Sequence, residues 1–140
     1  MVVPNIPNNS LTEEIKEIIR LCKILESVYK FQFHAAATEE EISKWENEHG
    51  ITIPESYKDW LRFSNGSIIA NETAHFYGTK MIGCDDEYVP NEYVVIGSLI
   101  GDGELLCFSK INGNIVSIDH GKVFEYGDFK NYLRFMISII

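Results

Sequence analysis

Residues 38–66 read TEEEISKWENEHGITIPESYKDWLRFSNG, and this stretch decides the fold. Thr38 and Glu41 form a capping-box pattern: the hydroxyl takes a free N–H of the first helical turn, and the carboxylate reaches back to the N–H of the threonine. Ile42 and Trp45 then point inward along a short helix. Gly50 ends it, because the position after the helix needs a positive φ that glycine adopts without penalty. Ile51 and Ile53 lead to Pro54, whose fixed φ and missing N–H suit the first turn of a further helix. Tyr57, Trp60 and Leu61 make that helix's apolar face, and Asn65-Gly66 closes it with a tight turn.

Working outward, residues 10–30 hold a longer helix. Ser10 and Glu13 repeat the capping-box pattern, and Leu11, Ile15, Ile18, Cys22, Leu25 and Val28 form one stripe ending near Tyr29. Residues 1–9, with Pro4, Pro7 and a run of asparagines, read as a flexible leader, and Phe31–Ala37 as a linker or short extended piece. After Gly66 the period changes. Short apolar runs at Ile68-Ile69, His75–Tyr77, Val94–Ile96, Leu105–Phe108, Ile115–Ile118 and Val123-Phe124 alternate with Gly-, Asn- and Asp-rich turns, the pattern of antiparallel hairpins. Asp128 caps a last helix with Phe129, Tyr132, Leu133, Met136, Ile137 and Ile140 on one wide face. The expectation is an α+β fold in one domain over 10–140: an antiparallel sheet of about five or six strands backed by helices, with N-terminal helices and one C-terminal helix.

The 140 residues carry a formal net charge of −9, unevenly spread. Residues 35–110 hold fourteen acids against five bases, while both flanks balance. Such a chain repels a phosphate backbone, so nucleic acid is not expected as a partner. A basic protein would be attracted and its approach steered; equally, acidic surface can serve solubility alone. Cys22, Cys84 and Cys107 are odd in number and far apart, which implies neither a disulfide framework nor a zinc site and suits a reducing cytoplasm. The start lacks the basic and apolar regions of a signal peptide, and no apolar run approaches the length of a membrane span. A cytoplasmic location with no membrane contact is expected.

Several of these residues carry a resemblance. Thr38–Ile42, Trp45-Glu46, Gly50–Tyr57, Leu61 and Asn65-Gly66 resemble the signature of the SUKH superfamily: an acidic-capped helix, then E-x-x-x-G-x-x-L-P-x-x-Y, then L-x-x-x-N-G. Ile53 stands where that pattern has leucine. A second block agrees as well: Ile96-Gly97, Gly101-Asp102-Gly103, Leu106–Phe108, Val116, Asp119–Gly121 and the helix after Asp128. Together they span about residues 36–140; the helix over 10–30 lies outside. The named relatives are fungal cell-wall synthesis regulators of the Smi/Knr type and bacterial homologues. The resemblance implies a sheet backed by helices, its open face and loops used for binding. It further implies an immunity protein that neutralises a cognate bacterial toxin, often a nuclease, or else a regulatory adaptor module. No cofactor and no catalytic residue follow from it. The signature positions Glu41, Trp45, Gly50, Pro54, Tyr57, Leu61, Asn65 and Gly66 are expected to be structural.

Candidate sites need weighing against plainer explanations. Trp45, Tyr57, Trp60 and Leu61 could line a ligand pocket, but helical spacing favours core. Gly101-Asp102-Gly103-Glu104 could cradle phosphate or hold a cation; a hairpin turn explains its glycines, and a cradle would lead into a helix. His34, His49, His75 and His120 show no metal-ligand spacing, and only His120, beside Asp119, suggests a general base. A metal-dependent enzyme using Asp102, Glu104 and His120 is the remote alternative, so no metal and no enzyme are expected. The segment 71–93 is the most suggestive. It exceeds ordinary hairpin length and interleaves Glu72, Asp85, Asp86, Glu87 and Glu92 with Tyr77, Tyr88 and Tyr93. Tyrosines supply rigid contact area and carboxylates bind Arg or Lys, so these residues, with Asp102 and Glu104, are the expected surface for a basic toxin. A solvated insertion is the plain alternative. Whether the chain is a monomer or a homodimer is left open, since the stripe on the first helix could pack on its own domain or on a second copy.

Overall fold

The computed structural model describes residues 2–71, 73–83, 87, 89–99 and 103–140. In chain order the elements are α1 (Thr12–Leu25), β1 (Gln32–Phe33), α2 (Glu39–His49), α3 (Glu55–Leu61), β2 (Ser67–Ile69), β3 (Ala74–Phe76), β4 (Tyr93–Leu99), β5 (Leu105–Ser109), β6 (Ile115–Asp119), β7 (Lys122–Gly127) and α4 (Phe129–Ile139). The strands form one seven-stranded sheet in the order β1 to β7, each antiparallel to its sequence neighbour. The α+β architecture is therefore as expected. The additional strand is β1, in the stretch expected as a linker or short extended piece: Phe33 is opposite Ser67, and its ring packs edge-on against Phe63 at 5.3 Å.

Local chemistry accounts for the sharp helix boundaries. At α2 the Thr38 hydroxyl accepts from Glu41 N–H at 3.1 Å while the Glu41 carboxylate accepts from Thr38 N–H at 2.9 Å. Gly50 closes that helix at φ 64°. At α4 the Asp128 carboxylate accepts from Asn131 N–H at 2.8 Å. The first helix departs from expectation. Ser10 does not cap it; its hydroxyl donates to Asp59 at 2.6 Å, and the Asn9 side chain takes the N–H of Leu11 instead. A nearby buried carboxylate outcompetes the local box, since hydrogen bonds to charged groups are the stronger ones. The helix also stops at Leu25, which leaves Val28 70% exposed and off the stripe.

The rest of that stripe belongs to the chain's own core. Leu11, Ile15, Ile18 and Cys22 are buried against α4 and the sheet. Glu14 lies at the α1–α4 contact, 6% exposed, its Oε2 accepting from Arg134 Nε at 3.3 Å and its Oε1 4.0 Å from Lys130 Nζ. Because Arg134 and Lys130 keep substantial contact with water, the pairing is screened. Glu14→Gln is expected to cost only about 1 kcal/mol, and to cost less as salt rises, read from urea midpoints at low and high ionic strength. A loss that ignores salt would mean that shape and not charge holds the contact.

One face of the sheet carries all four helices' apolar sides. Trp60 is at the centre, with ring centroids at 5.2 Å from Phe76, 5.3 Å from Phe63 and 5.8 Å from Phe129. The polar tips of the buried aromatics are satisfied: Trp60 Nε1 donates to Ser67 Oγ at 3.2 Å, Trp45 Nε1 to Ile82 O at 3.2 Å, and Tyr57 O–H to Tyr77 O at 2.6 Å.

Candidate protein-binding face

Among the described residues, no helix lies on the opposite face of the sheet. Strand side chains alternate between faces, and directly opposed residues share one, so the register defines its rows. Val95, Cys107, Val116 and Glu125 form one row; Leu105, Ile118 and Val123 form another. Val89, in the β3–β4 connection, joins Val95, Cys107, Val116 and Ile118 in a second buried cluster, with Tyr77, Tyr93 and Leu105 packed against it. Val89 thus packs its part of the connection onto that face, as a lid.

Both ends of this connection are anchored. Gly83 exchanges two hydrogen bonds with Val95, at 3.1 and 2.8 Å, taking the place β3 leaves empty beside β4. Upstream, Asn65 Oδ1 accepts from Thr79 N–H at 2.8 Å, and Asn65 Nδ2 donates to Thr79 Oγ1 at 3.2 Å. Gly78 makes this approach possible: a Cβ there would lie 2.4 Å from Asn65 O. Downstream, Glu92 O accepts from Lys110 N–H at 2.7 Å. Asn65, Gly66 and Glu41 also border a cleft of about 560 Å³ shared with His34 and His75. Burial, and then His34, depresses the pKa of His75, so the cleft favours a neutral imidazole there.

The expected binding residues part into three groups. Glu72, Asp85, Asp86, Tyr88 and Asp102 lie outside the described residues. Tyr77, Glu87, Glu92 and Tyr93 belong to the lid and its margins: Glu87 and Glu92 are exposed, Tyr77 and Tyr93 half-buried. Burial raises the phenol pKa of Tyr93, and the negative charges of Glu92 and of Glu125, three strands away, raise it further. Glu104 does not join them. It precedes β5, whose start pairs with the far end of β4, roughly 20 Å along the strand from Tyr93 at about 3.3 Å per residue. Its own pKa is raised by burial and by Asp119, and it acts on Tyr132 of α4, which puts it toward the helix side.

The central acidic excess is divided as well. Seven of its fourteen acids are on α2 and α3. There Arg62 gathers Glu55, Glu39 and Asp59 at 2.6, 2.8 and 2.9 Å, and Lys58 takes Glu46 at 3.0 Å. That half is largely spent within the chain; of the other half Glu87 and Glu92 are exposed on the lid side, where Glu125 joins them from outside this region. Sequence reading missed Glu125 because only the register across β4 to β7 puts it on the face that carries Tyr93, and it missed Gly78 because a single glycine after a strand looks like any turn.

The suggestive histidine sits elsewhere. His120 Nδ1 is 2.6 Å from Asp119 Oδ1, in the exposed β6–β7 turn. Among the described residues no three His, Cys, Asp or Glu side chains converge as metal ligands. Nor is any described helix long and apolar enough to cross a membrane. Trp45, Tyr57, Trp60 and Leu61 are all within the core, at most 4% exposed.

The model of the SMI1 / KNR4 family (SUKH-1) matches residues 36–136, from the segment before α2 to within α4. No curated protein matches the chain.

Proposed function

Because the chain belongs to the SMI1 / KNR4 family (SUKH-1), we propose that it is an immunity protein, which binds a cognate toxin domain and performs no catalysis itself. The observation that supports this reading is the helix-free face itself, where the register sets exposed Glu125 in one row with Val95, Cys107 and Val116 and half-buried Tyr93 lies on the same side of β4, with Glu92 and Glu87 exposed in the adjoining connection. A surface that offers an aromatic ring and carboxylates suits an arginine or lysine: the ring offers rigid contact, and the carboxylates accept charge-assisted hydrogen bonds. A toxin that handles nucleic acid holds phosphates with such cations. Occupying them with carboxylates blocks the groove without chemistry.

The test is co-expression with a toxin-like domain encoded beside the gene, followed by stopped-flow association of the purified pair. Growth rescue is expected, with an association rate that falls as salt rises. The double reversal Glu92→Lys, Glu125→Lys is expected to slow association about tenfold or more at low salt while leaving the melting temperature nearly unchanged. A rate indifferent to both salt and reversal would refute the acidic docking surface. Binding that leaves the partner fully active would place the chain among regulatory adaptors instead.

A further inference from the structure

The sheet ends at β7, and among the described residues no strand pairs with its outer side. This edge is six residues long, and apart from half-buried Tyr126 all of them are exposed, including Val123 at 41% and Phe124 at 52%. The backbone phase of the edge follows from its hairpin. His120 and Gly121 both have positive φ, 50° and 82°, as in a two-residue type I′ turn. In such a hairpin the flanking residues, Asp119 and Lys122, exchange both backbone hydrogen bonds. Alternation then turns Lys122 and Phe124 inward to β6, and leaves the N–H and C=O groups of Val123 and Glu125 pointing outward, available to another strand.

We propose that β7 pairs with β7 of a second copy of this chain, antiparallel about a two-fold axis at Phe124, giving one continuous sheet through both protomers. This register sets Val123 opposite Glu125 of the second copy, twice. Both are outward residues, so each pair forms two backbone hydrogen bonds and all four outward groups of each edge are satisfied. Phe124 then faces its own counterpart in the close, non-hydrogen-bonded position. Shifting the axis to Glu125 would set two carboxylates opposite each other, which charge forbids. Shifting it to Val123 would separate the two Phe124 rings.

The side chains on the helix side of the edge continue the patch. Ser117 is opposite Phe124, and Ser117 Oγ lies 3.2 Å from Tyr126 O–H, so Phe124 and Tyr126 share that face. Phe135 of α4, 46% exposed, has its ring 5.6 Å from that of Tyr126. Phe124, Tyr126 and Phe135 form an aromatic strip along the rim that a second copy covers. An exposed edge with apolar side chains invites pairing, and a closed dimer consumes it without leaving a further edge there. Of the lid-side surface this contact uses only Glu125, through its backbone, and mass and cross-linking are read without any toxin, so the proposal does not depend on the immunity reading.

Sedimentation equilibrium on the full chain is expected to return twice the 16.0 kDa chain mass. Val123→Pro, which deletes an outward N–H and spares the inward ladder, is expected to raise the dimer dissociation constant about tenfold or more. Phe124→Cys gives an independent reading of register. Its Cα atoms would lie about 4.5 Å apart across the axis, within disulfide reach, whereas two Val123→Cys residues would be beyond it. Mild oxidation should therefore cross-link the first variant and not the second. Monomeric mass at every concentration would overturn the proposal. So would a dimer that Phe124→Cys fails to cross-link, including one held together through another surface.

Discussion

Trp60→Ala is expected to lower the unfolding free energy by about 3–5 kcal/mol, read as a shift of the urea midpoint at unchanged slope. The residue is fully buried, and its ring meets Phe63, Phe76 and Phe129, so one side chain joins α3, the sheet and α4. Alanine removes the largest buried volume in the core and leaves a cavity that three rings on different elements cannot collapse to fill. It also leaves Ser67, 1% exposed, without the indole N–H that its hydroxyl accepts. Since a domain of this size has about 5–15 kcal/mol in total, the variant should be marginal at 37 °C. Trp60→Phe keeps the apolar contact and loses mainly volume and the donor, so a smaller loss is expected. Equal losses for both variants would show that the hydrogen bond, and not the packing, carries the effect.

Gly78→Ala is expected to cost about 3 kcal/mol, from the addition of one methyl group. The Cβ would lie 2.4 Å from Asn65 O and 2.7 Å from Asn65 Oδ1. Asn65 cannot retreat freely, because its side chain holds Thr79 through two hydrogen bonds and its own N–H donates to Ala35 O at 3.0 Å. The lid must therefore lift at its upstream anchor. Hydrogen exchange should show this as faster exchange at Thr79 and Gly83, ahead of any change in α1. Gly50→Ala is the control. It meets nothing within 4 Å and is strained only by its positive φ, so its cost should be about 1 kcal/mol with no effect on the lid. A lid unchanged in Gly78→Ala would show that the Asn65 contact does not hold it.

Much of the fold was legible in the sequence. The caps at Thr38 and Asp128 and the stop at Gly50 are set by groups within four residues of one another, so composition and spacing suffice to find them. The six apolar runs after Gly66 became β2 to β7 because alternation is itself the mark of a pleated strand. β1 escaped this test: two residues are too few to show a period, and only pairing with β2 makes them a strand. The candidate site was less legible. Tyr77, Glu87, Glu92 and Tyr93 were grouped by the composition of one long connection and Glu104 by charge alone, and the register of β4 on β5 carries Glu104 to the opposite end.

The sequence by itself determined the class of the fold, the helix limits around the signature, and the presence of a long tyrosine- and acid-rich connection between two strands. Tertiary packing settled that Ser10 serves Asp59 instead of its own helix, that Arg62 and Lys58 consume acids of α2 and α3, and that Glu125 shares a sheet face with Tyr93. The physical reason is range. Caps and periods are settled by neighbours along the chain, whereas the partner of a charge or hydroxyl is whichever group the strand register and helix packing bring within about 3 Å.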